Sequence, residues 1–213
     1  IPRDVFRITM AASALWARQS NHELAELEAL RDEFRRRKPP AKDYDAWCLA
    51  IEGNWQFWKG ESAPAETKLT EAMHLLPPDS PPSFAYFIRA YLALALSDRG
   101  ALAEAEQIIR EVLLPPEKVA PGLGNAHSGL VSVLASVLCR QNRFAEARKL
   151  LLDQKRALAA RQISPRDLLA LDKKLGEVLA RAGNATEALP ILMSVATNSL
   201  GTVRDCVEAA CVA

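Results

Sequence analysis

The motif Glu71-Ala-Met-His74 places a carboxylate and an imidazole at the spacing that di-iron bundles use for metal binding. Residues three apart share one face of a helix, so both side chains would reach the same ion. That chemistry needs the motif twice, with further glutamates, and the chain contains it once. We therefore interpret His74 as a surface histidine near a helix end, and we predict no metal site and no cofactor.

Two other patterns resemble functional motifs but have simpler interpretations. The stretch PGLGN at 121–125 lacks the lysine and the preceding strand of a phosphate-binding loop, which predicts a linker. Cys206 and Cys211 are five residues apart on a predicted helix and do not share a face closely enough for a metal pair, so we interpret both as structural thiols. No nucleophile is paired with a base, so the sequence predicts no catalytic residues and no enzyme activity.

The run Arg35-Arg36-Arg37-Lys38 is the densest cluster of positive charge. It suits contact with phosphates or with an acidic partner. It also ends a helix whose first turns are acidic, and that order complements the helix dipole. We favour this second interpretation because the net charge is only +1 and no second basic stripe accompanies the run. Nucleic acid is therefore not a predicted partner.

The composition is that of a soluble globular protein, with 49% apolar and 25% charged residues. No apolar run approaches the ~20 residues that a membrane span needs, so a membrane is not a predicted partner either. The four cysteines form no CxxC pair, which indicates free thiols in a reducing compartment and predicts a cytoplasmic location.

The elements that carry these residues are predicted to be helices. Apolar residues recur at three- and four-residue spacing, without a competing period of two, and prolines separate the segments. Ser80-Pro81 predicts an N-cap followed by a proline in the first turn. Asn184-Ala-Thr186 satisfies the glycosylation pattern, but Asn184 and Glu187 also have the spacing of a capping box, and we predict the cap.

Five segments of the chain share one pattern, in which a turn-forming residue precedes an alanine by five positions. The turn residues are Ser20, Gly60, Gly100, Asn142 and Gly183. The alanines, spaced 40, 40, 42 and 41 residues apart, are Ala25, Ala65, Ala105, Ala147 and Ala188. Seven positions before each turn residue the chain has a small residue: Ser13, Gly53, Ala93, Ala135 and Gly176. Small residues on both helices of a pair let the backbones approach closely, and such pairs must stack to bury their outer faces.

This pattern resembles the tetratricopeptide repeat (TPR). The fifth repeat supplies its Leu-Gly, apolar and Ala-x3-apolar positions with Leu175-Gly176, Leu179, Ala188 and Leu192. The second repeat supplies Leu49, Gly53, Ala65, Leu69 and the late Pro77. The period of 40 to 42 residues exceeds the usual 34, as in long-helix members such as kinesin light chains. The first repeat is degenerate, with Thr9 and Ala12 where large apolar residues are expected.

The resemblance implies an all-α fold, an α-solenoid of about five antiparallel helix pairs wound into a right-handed superhelix. We predict a single domain over residues 1–213, with repeats at about 4–38, 43–76, 81–114, 126–160 and 165–198. A last helix over 202–213 would cap the stack or begin another repeat. The resemblance further implies that the first helices of the pairs line a concave groove.

The stretch GNWQFWKG at 53–60 concentrates aromatic residues in a chain that contains only 6% of them. Trp55 aligns with Leu15, Ala95, Val137 and Val178, which predicts a buried position. Trp58 aligns with charged residues, which predicts an exposed one. We predict that the groove binds a partner through an aromatic centre of Trp47, Phe57 and Phe87, with Asn54 between them as a hydrogen-bonding group. The remaining predicted contacts are Trp58, Leu94, Ser136, Arg140 and Lys173.

The function that this sequence predicts is a non-catalytic adaptor or scaffold that holds a protein or peptide segment in its groove. The alternative is a regulatory or sensor domain of a larger enzyme or transcription factor, which binds a small ligand or an effector peptide. The chain starts at Ile1 and ends in the apolar EAACVA, so the hypothesis that it belongs to a larger chain or a multiprotein complex stays open.

Overall fold

The structure, a computed structural model, describes residues 3–18, 21–37, 42–77, 79–115, 118–120, 123–160 and 165–198. Over these ranges the chain forms ten helices and no strand, which confirms the all-α prediction. They follow one another as five pairs: α1 (Arg3–Arg18) and α2 (Asn21–Arg36), α3 (Lys42–Trp58) and α4 (Ser62–Leu75), α5 (Pro82–Asp98) and α6 (Leu102–Arg110), α7 (Gly124–Arg140) and α8 (Phe144–Ala160), α9 (Pro165–Arg181) and α10 (Ala185–Thr197). The predicted helix over 202–213 lies outside the described residues.

The chain divides into two compact units, residues 1–101 with α1 to α5 and residues 102–213 with α6 to α10. In the first unit α3 packs against α1, α2, α4 and α5. In the second unit α9 packs against α7, α8 and α10. The helix that carries most of GNWQFWKG is therefore the central helix of the first unit.

Four of the turns that join paired helices share one hydrogen-bond pattern. After α3, the N–H of Gly60 donates to the carbonyl of Phe57 and the N–H of Glu61 to that of Gln56, both at 2.9 Å. This is a Schellman motif, which needs a residue in the left-handed conformation, and Gly60 has a φ of 82°. The equivalent residues are Gly100 (φ 86°), Asn142 (φ 60°) and Gly183 (φ 80°). The turn residues predicted from the repeat are thus confirmed at four positions, and Ser20 lies outside the described residues.

The seams between paired helices are made of small residues, as the repeat pattern predicts. Ala65 and Ala147 are 0% exposed and Ala188 is 2% exposed. A Cβ atom added at Gly53 would lie 2.7 Å from Cγ of Leu69, and one added at Gly176 would lie 2.6 Å from Cδ2 of Leu192. No side chain tolerates contacts this short, so these helix pairs depend on the missing Cβ atoms for their close approach.

In the first repeat the predicted seam is wrong. Ser13, Ala25 and Ala29 are exposed. The side chains of α2 that are fully buried are instead Leu27 and Phe34, which pack with Ile8 and Leu15 of α1. Large residues on both helices fill this interface, so it needs no small residues. Alanine is common in helices of every kind, which is why a match of alanines in a degenerate repeat was misleading.

The helix starts confirm one predicted cap and correct another. At α10 the N–H of Glu187 donates to Oδ1 of Asn184 at 3.4 Å, and Nδ2 of Asn184 donates to Oε1 of Glu187 at 2.7 Å. This confirms the predicted cap. At α5 the N-cap is Pro81 rather than Ser80, without any side-chain hydrogen bond to the helix end. Proline has no N–H to satisfy, so Pro82 suits the first helical position and moves the cap by one residue.

Replacing Ala147 with leucine is expected to lower the free energy of unfolding by about 1–3 kcal/mol, because α8 has no space for three more heavy atoms at this position. Ala159→Leu is the matched control, since Ala159 is exposed on the same helix and leucine is nearly as good a helix former as alanine. Urea denaturation followed by circular dichroism measures both. Equal midpoints for the two variants would contradict the seam.

Candidate functional site

The two tryptophans of GNWQFWKG differ in exposure as the sequence predicts. Trp55 is 5% exposed and packs in the core of the first unit with Leu15, Leu27, Phe34 and Cys48. Trp58, three residues later, is 52% exposed. Residues three positions apart differ by only about 60° around a helix, so rotation alone does not account for the change. Trp58 is also the last residue of α3, whereas Trp55 lies within the helix.

Four aromatic side chains from α3 and α5 form a continuous patch, which we call the aromatic surface: Phe57, Trp58, Phe87 and Tyr91. The ring centroids of Phe57 and Trp58 are 5.9 Å apart, and those of Phe57 and Tyr91 are 6.0 Å apart, both pairs edge to face. Phe87 and Tyr91 are separated by 4.9 Å. Phe57, Phe87 and Tyr91 are half-buried, so each ring packs on its neighbours and still presents part of its area to solvent.

The structure divides the predicted aromatic centre in two. Trp47 pairs with Phe84 at a centroid distance of 5.1 Å, near the starts of α3 and α5. It lies ten residues before Phe57 on the same helix, which corresponds to about 15 Å along the axis. Tyr91, which contacts both Phe57 and Phe87, was not among the predicted contacts. Its position four residues after Phe87, on the same helix face, was the signal that could have found it.

Asn54 and Leu94 lie near this surface in the chain, with different exposure. Asn54 precedes Phe57 by one helical turn, but it is only 3% exposed, and its Oδ1 atom is enclosed without a hydrogen-bond partner. Leu94 is half-buried on α5, three residues after Tyr91. An enclosed acceptor that receives no hydrogen bond is costly, and Oδ1 of Asn54, like Oε1 of Gln56, has an unmet bonding capacity.

The other predicted contacts belong to the second unit. Ser136 is half-buried and donates its hydroxyl to the carbonyl of Ser132 at 3.0 Å. It borders a shallow depression between α7 and α9, together with Cys139, Lys174, Glu177, Val178 and Arg181. The lysine that lines this depression beside Ser136 is Lys174 rather than the predicted Lys173. Lys174 pairs with Glu177 at 2.5 Å. Lys173 itself is half-buried, and Arg140 is exposed at the end of α7.

The first unit contains a buried carboxylate that links three helices, and no sequence pattern indicated it. The side chain of Glu52 on α3 is 1% exposed and forms ion pairs with Arg31 of α2 and with Lys68 of α4, the latter at 2.6 Å. Burial raises the pKa of Glu52, and the hydrogen bond from Lys68 and the charge of Arg31 offset part of that rise. Burial also raises the pKa of the neighbouring Cys48 thiol to about 12, so this cysteine is not a nucleophile.

The basic run at the end of α2 makes intramolecular ion pairs. Arg35 pairs with Asp45 at 2.8 Å and with Glu71 at 2.5 Å. Arg37 binds both carboxylate oxygens of Asp4, at 2.7 and 2.9 Å. These two arginines link α2 to its neighbours, which supports the structural interpretation of the run. Lys38 lies outside the described residues.

The two residues of the candidate metal motif have different surroundings. Glu71 is paired with Arg35, and His74 is exposed. In the part of the chain that the structure describes, no three histidine, cysteine, aspartate or glutamate side chains converge as metal ligands. Cys206 and Cys211 lie outside those residues. No described helix combines the length and the apolar character that crossing a membrane requires.

No protein-family model matches the chain, and no curated protein sequence matches it. Solved structures do. A point variant of a Podosopora anserina protein, described as a kinesin light chain with nearly identical TPR-like repeats, matches with a TM-score of 0.71 at 17% identity, over 91% of this chain and 92% of that chain. The fold is that of TPR-like repeats.

Two further structures agree with the TPR-like fold. The same Podosopora anserina protein without the substitution has a TM-score of 0.68 at 18% identity, over 91% of this chain and 93% of that one. BtubC from P. vanneervenii has a TM-score of 0.59 at 13% identity, over 100% of this chain and 82% of that one. The resemblance inferred from the repeat pattern is confirmed at the level of the fold.

Proposed function

We propose that this TPR-like chain is a non-catalytic adaptor that holds a segment of a partner protein against the aromatic surface. The observation that supports this best is Trp58, a tryptophan 52% exposed at a position where the later repeats have exposed charged residues. Those residues are Asp98, Arg140 and Arg181. Clustered exposed apolar side chains mark interaction sites, and aromatic anchors tend to dominate the energy of binding.

The unmet acceptor of Asn54 gives this surface a polar component. Because this oxygen is enclosed, a backbone N–H of a bound segment would reach it only if the side chains that cover it moved aside, and that hydrogen bond would then satisfy it. Phe57 and Tyr91 would contact apolar side chains of the same segment, and Leu94 would extend the contact along α5. In the second unit, Ser136, Arg140 and Lys173 remain proposed contacts.

The proposal includes a cytoplasmic location and the absence of enzyme activity. Cys48 and Cys139 are both free and buried, which suits a reducing compartment. Both thiols have a raised pKa because they are buried, so neither suits the role of a nucleophile. We accordingly propose protein segments, rather than nucleic acid or membrane, as partners.

Phe57→Ala and Phe87→Ala are each expected to weaken the binding of a partner peptide at least tenfold, because each removes one ring of the aromatic surface. Peptides selected from a random library against the intact chain provide the ligand, and isothermal titration calorimetry measures the dissociation constants. Phe6→Ala is the matched control, since Phe6 is 57% exposed on α1 and lies outside the aromatic surface.

All three variants should keep the helicity and the melting temperature close to those of the original chain, since none removes a fully buried ring. Peptides that bind Phe57→Ala and Phe87→Ala as tightly as they bind the original chain would contradict the proposed site. So would a loss of affinity as large in Phe6→Ala.

A further inference from the structure

A separate cavity of the first unit lies at the N-terminal ends of α3 and α5. Its volume is about 200 Å³, and its lining includes Asp43, Tyr44, Trp47, Asp79, Ser80 and Phe84. None of the described side chains that line it is basic. Pockets for drug-sized ligands measure about 300–1,000 Å³, so this one suits a group of the size of a side-chain tip.

Three aromatic rings form the walls of this cavity. Trp47 and Phe84 face it from the two helices, with ring planes inclined by 55° at a centroid distance of 5.1 Å. Tyr44 is held in place by packing against Phe34 at 5.2 Å. The three wall residues are half-buried, so their rings are both supported and accessible. The faces of aromatic rings carry negative potential and attract cations.

Two carboxylates line the cavity, and no counter-charge lies beside them in the part of the chain that the structure describes. Asp43 and Asp79 are exposed, and neither has a partner among the described side chains. The nearby acidic residues Asp45 and Glu71 are different, because both pair with Arg35. Asp79 does not cap α5 either, since the N-cap there is Pro81 and receives no side-chain bond.

The charge balance of the cavity is negative. The two aspartates contribute a formal charge of −2, and the positive ends of α3 and α5 offset about half a unit each. About one unit of negative charge is left beside three aromatic rings, and none of the described side chains in the lining neutralises it. Neither a neutral apolar group nor an anion would satisfy this arrangement, whereas an organic cation would satisfy both parts of it.

We infer that this cavity binds the ammonium group of a lysine side chain presented by a partner. Trp47, Phe84 and Tyr44 would surround the last methylene and the ammonium, while Asp43 and Asp79 would accept its N–H groups. The carboxylates come from two different elements, so a compact ammonium with three diverging donors can bridge them. A guanidinium pairs best with one carboxylate in its own plane.

Titration of the intact chain with Nα-acetyl-lysine methylamide tests this site, with the indole N–H signal of Trp47 as the reporter in NMR spectra. A Trp47→Phe variant assigns the signal. We expect a saturable shift, and we expect the ε-acetylated probe, which keeps the stem and lacks the charge, to bind at least about tenfold more weakly. Asp43→Asn and Asp79→Asn should each weaken binding about threefold or more, and the double variant about tenfold. Asp153→Asn, an exposed aspartate of α8, should change nothing.

Three results would overturn the inference: no saturable shift, equal binding of the ε-acetylated probe, or unchanged binding to the Asp43→Asn/Asp79→Asn variant. Tighter binding of Nα-acetyl-arginine methylamide would overturn the choice of lysine. Both aspartates are exposed, so their variants should fold, and a thermal melt checks this. The inference does not rest on the proposed adaptor function, because these variants leave the aromatic surface unchanged and library peptides should keep their dependence on Phe57.

Discussion

Replacing Trp55 with alanine is expected to lower the free energy of unfolding of the first unit by about 3–5 kcal/mol, the cost typical of truncating a buried tryptophan. Trp55 is 5% exposed and shares its core with Leu15, Leu27 and Phe34. Those side chains belong to α1 and α2, two helices that are packed against each other, so they cannot close the cavity that a missing indole leaves.

Trp58→Ala is the matched control for this experiment, because Trp58 is 52% exposed on the same helix. Its loss should change the stability by no more than about 0.5 kcal/mol. All four tryptophans of the chain lie within residues 1–101, so tryptophan fluorescence during urea denaturation reports on the first unit alone. Similar effects of the two substitutions would show that Trp55 is not a core residue.

Arg31→Met is expected to destabilise the first unit by about 3 kcal/mol, because it leaves the carboxylate of Glu52 buried with one cation instead of two. The side chain of Glu52 is 1% exposed, so water cannot replace the lost guanidinium. Lys68 still contacts the carboxylate at 2.6 Å, which keeps the expected effect at the lower end of the range for a broken buried ion pair.

The dependence on pH separates this effect from a simple loss of packing. Burial already raises the pKa of Glu52 above its ordinary value of 4.5, and removing Arg31 raises it further. At pH values between the pKa of Glu52 in the unfolded chain and its higher pKa in the folded variant, the folded variant keeps a proton that the unfolded chain releases. The free energy of unfolding of the variant therefore falls as the pH rises through this range. The deficit of Arg31→Met relative to the original chain should therefore be larger at pH 8 than at pH 4.5.

The double variant Arg31→Met/Glu52→Met completes the experiment. It removes the stranded carboxylate and replaces the pair with apolar side chains, an exchange that is often neutral or stabilising. We expect it to recover most of the stability that Arg31→Met loses, with no remaining dependence on pH from this site. If the double variant is as unstable as the single one, Arg31 stabilises the unit through its methylenes rather than through its charge.

Much of the fold could be predicted because its determinants are local and repeated. The left-handed turns at Gly60 and Asn142 and the close helix contact at Gly53 each depend on a few neighbouring positions. One such signal is weak, but the same signal in the same register several times along the chain identifies helix pairs. Where the register is degenerate, as at Ala25, the prediction failed, because one small residue in a helix indicates little.

The candidate site could be predicted only in part. The alignment of the repeats assigned Trp55 to the core and Trp58 to solvent, because equivalent positions of successive helix pairs have similar surroundings. It did not determine which ring of α5 each would meet. That depends on the rotation and the offset of one helix against the other, which is how Tyr91 came to join Phe57 while Trp47 paired with Phe84.

The sequence by itself thus determined the helices, most of their turns, the pairing of neighbours and the different exposure of Trp55 and Trp58, since these follow from local backbone geometry and from the repeat register. Only the tertiary structure decided which side chains share an environment. Glu52 meets Arg31 and Lys68 across 21 and 16 residues of chain. Asp43 and Asp79 reach one cavity from two separate helix starts. Contacts of this kind depend on the packing of whole helices, and no spacing within the sequence encodes them.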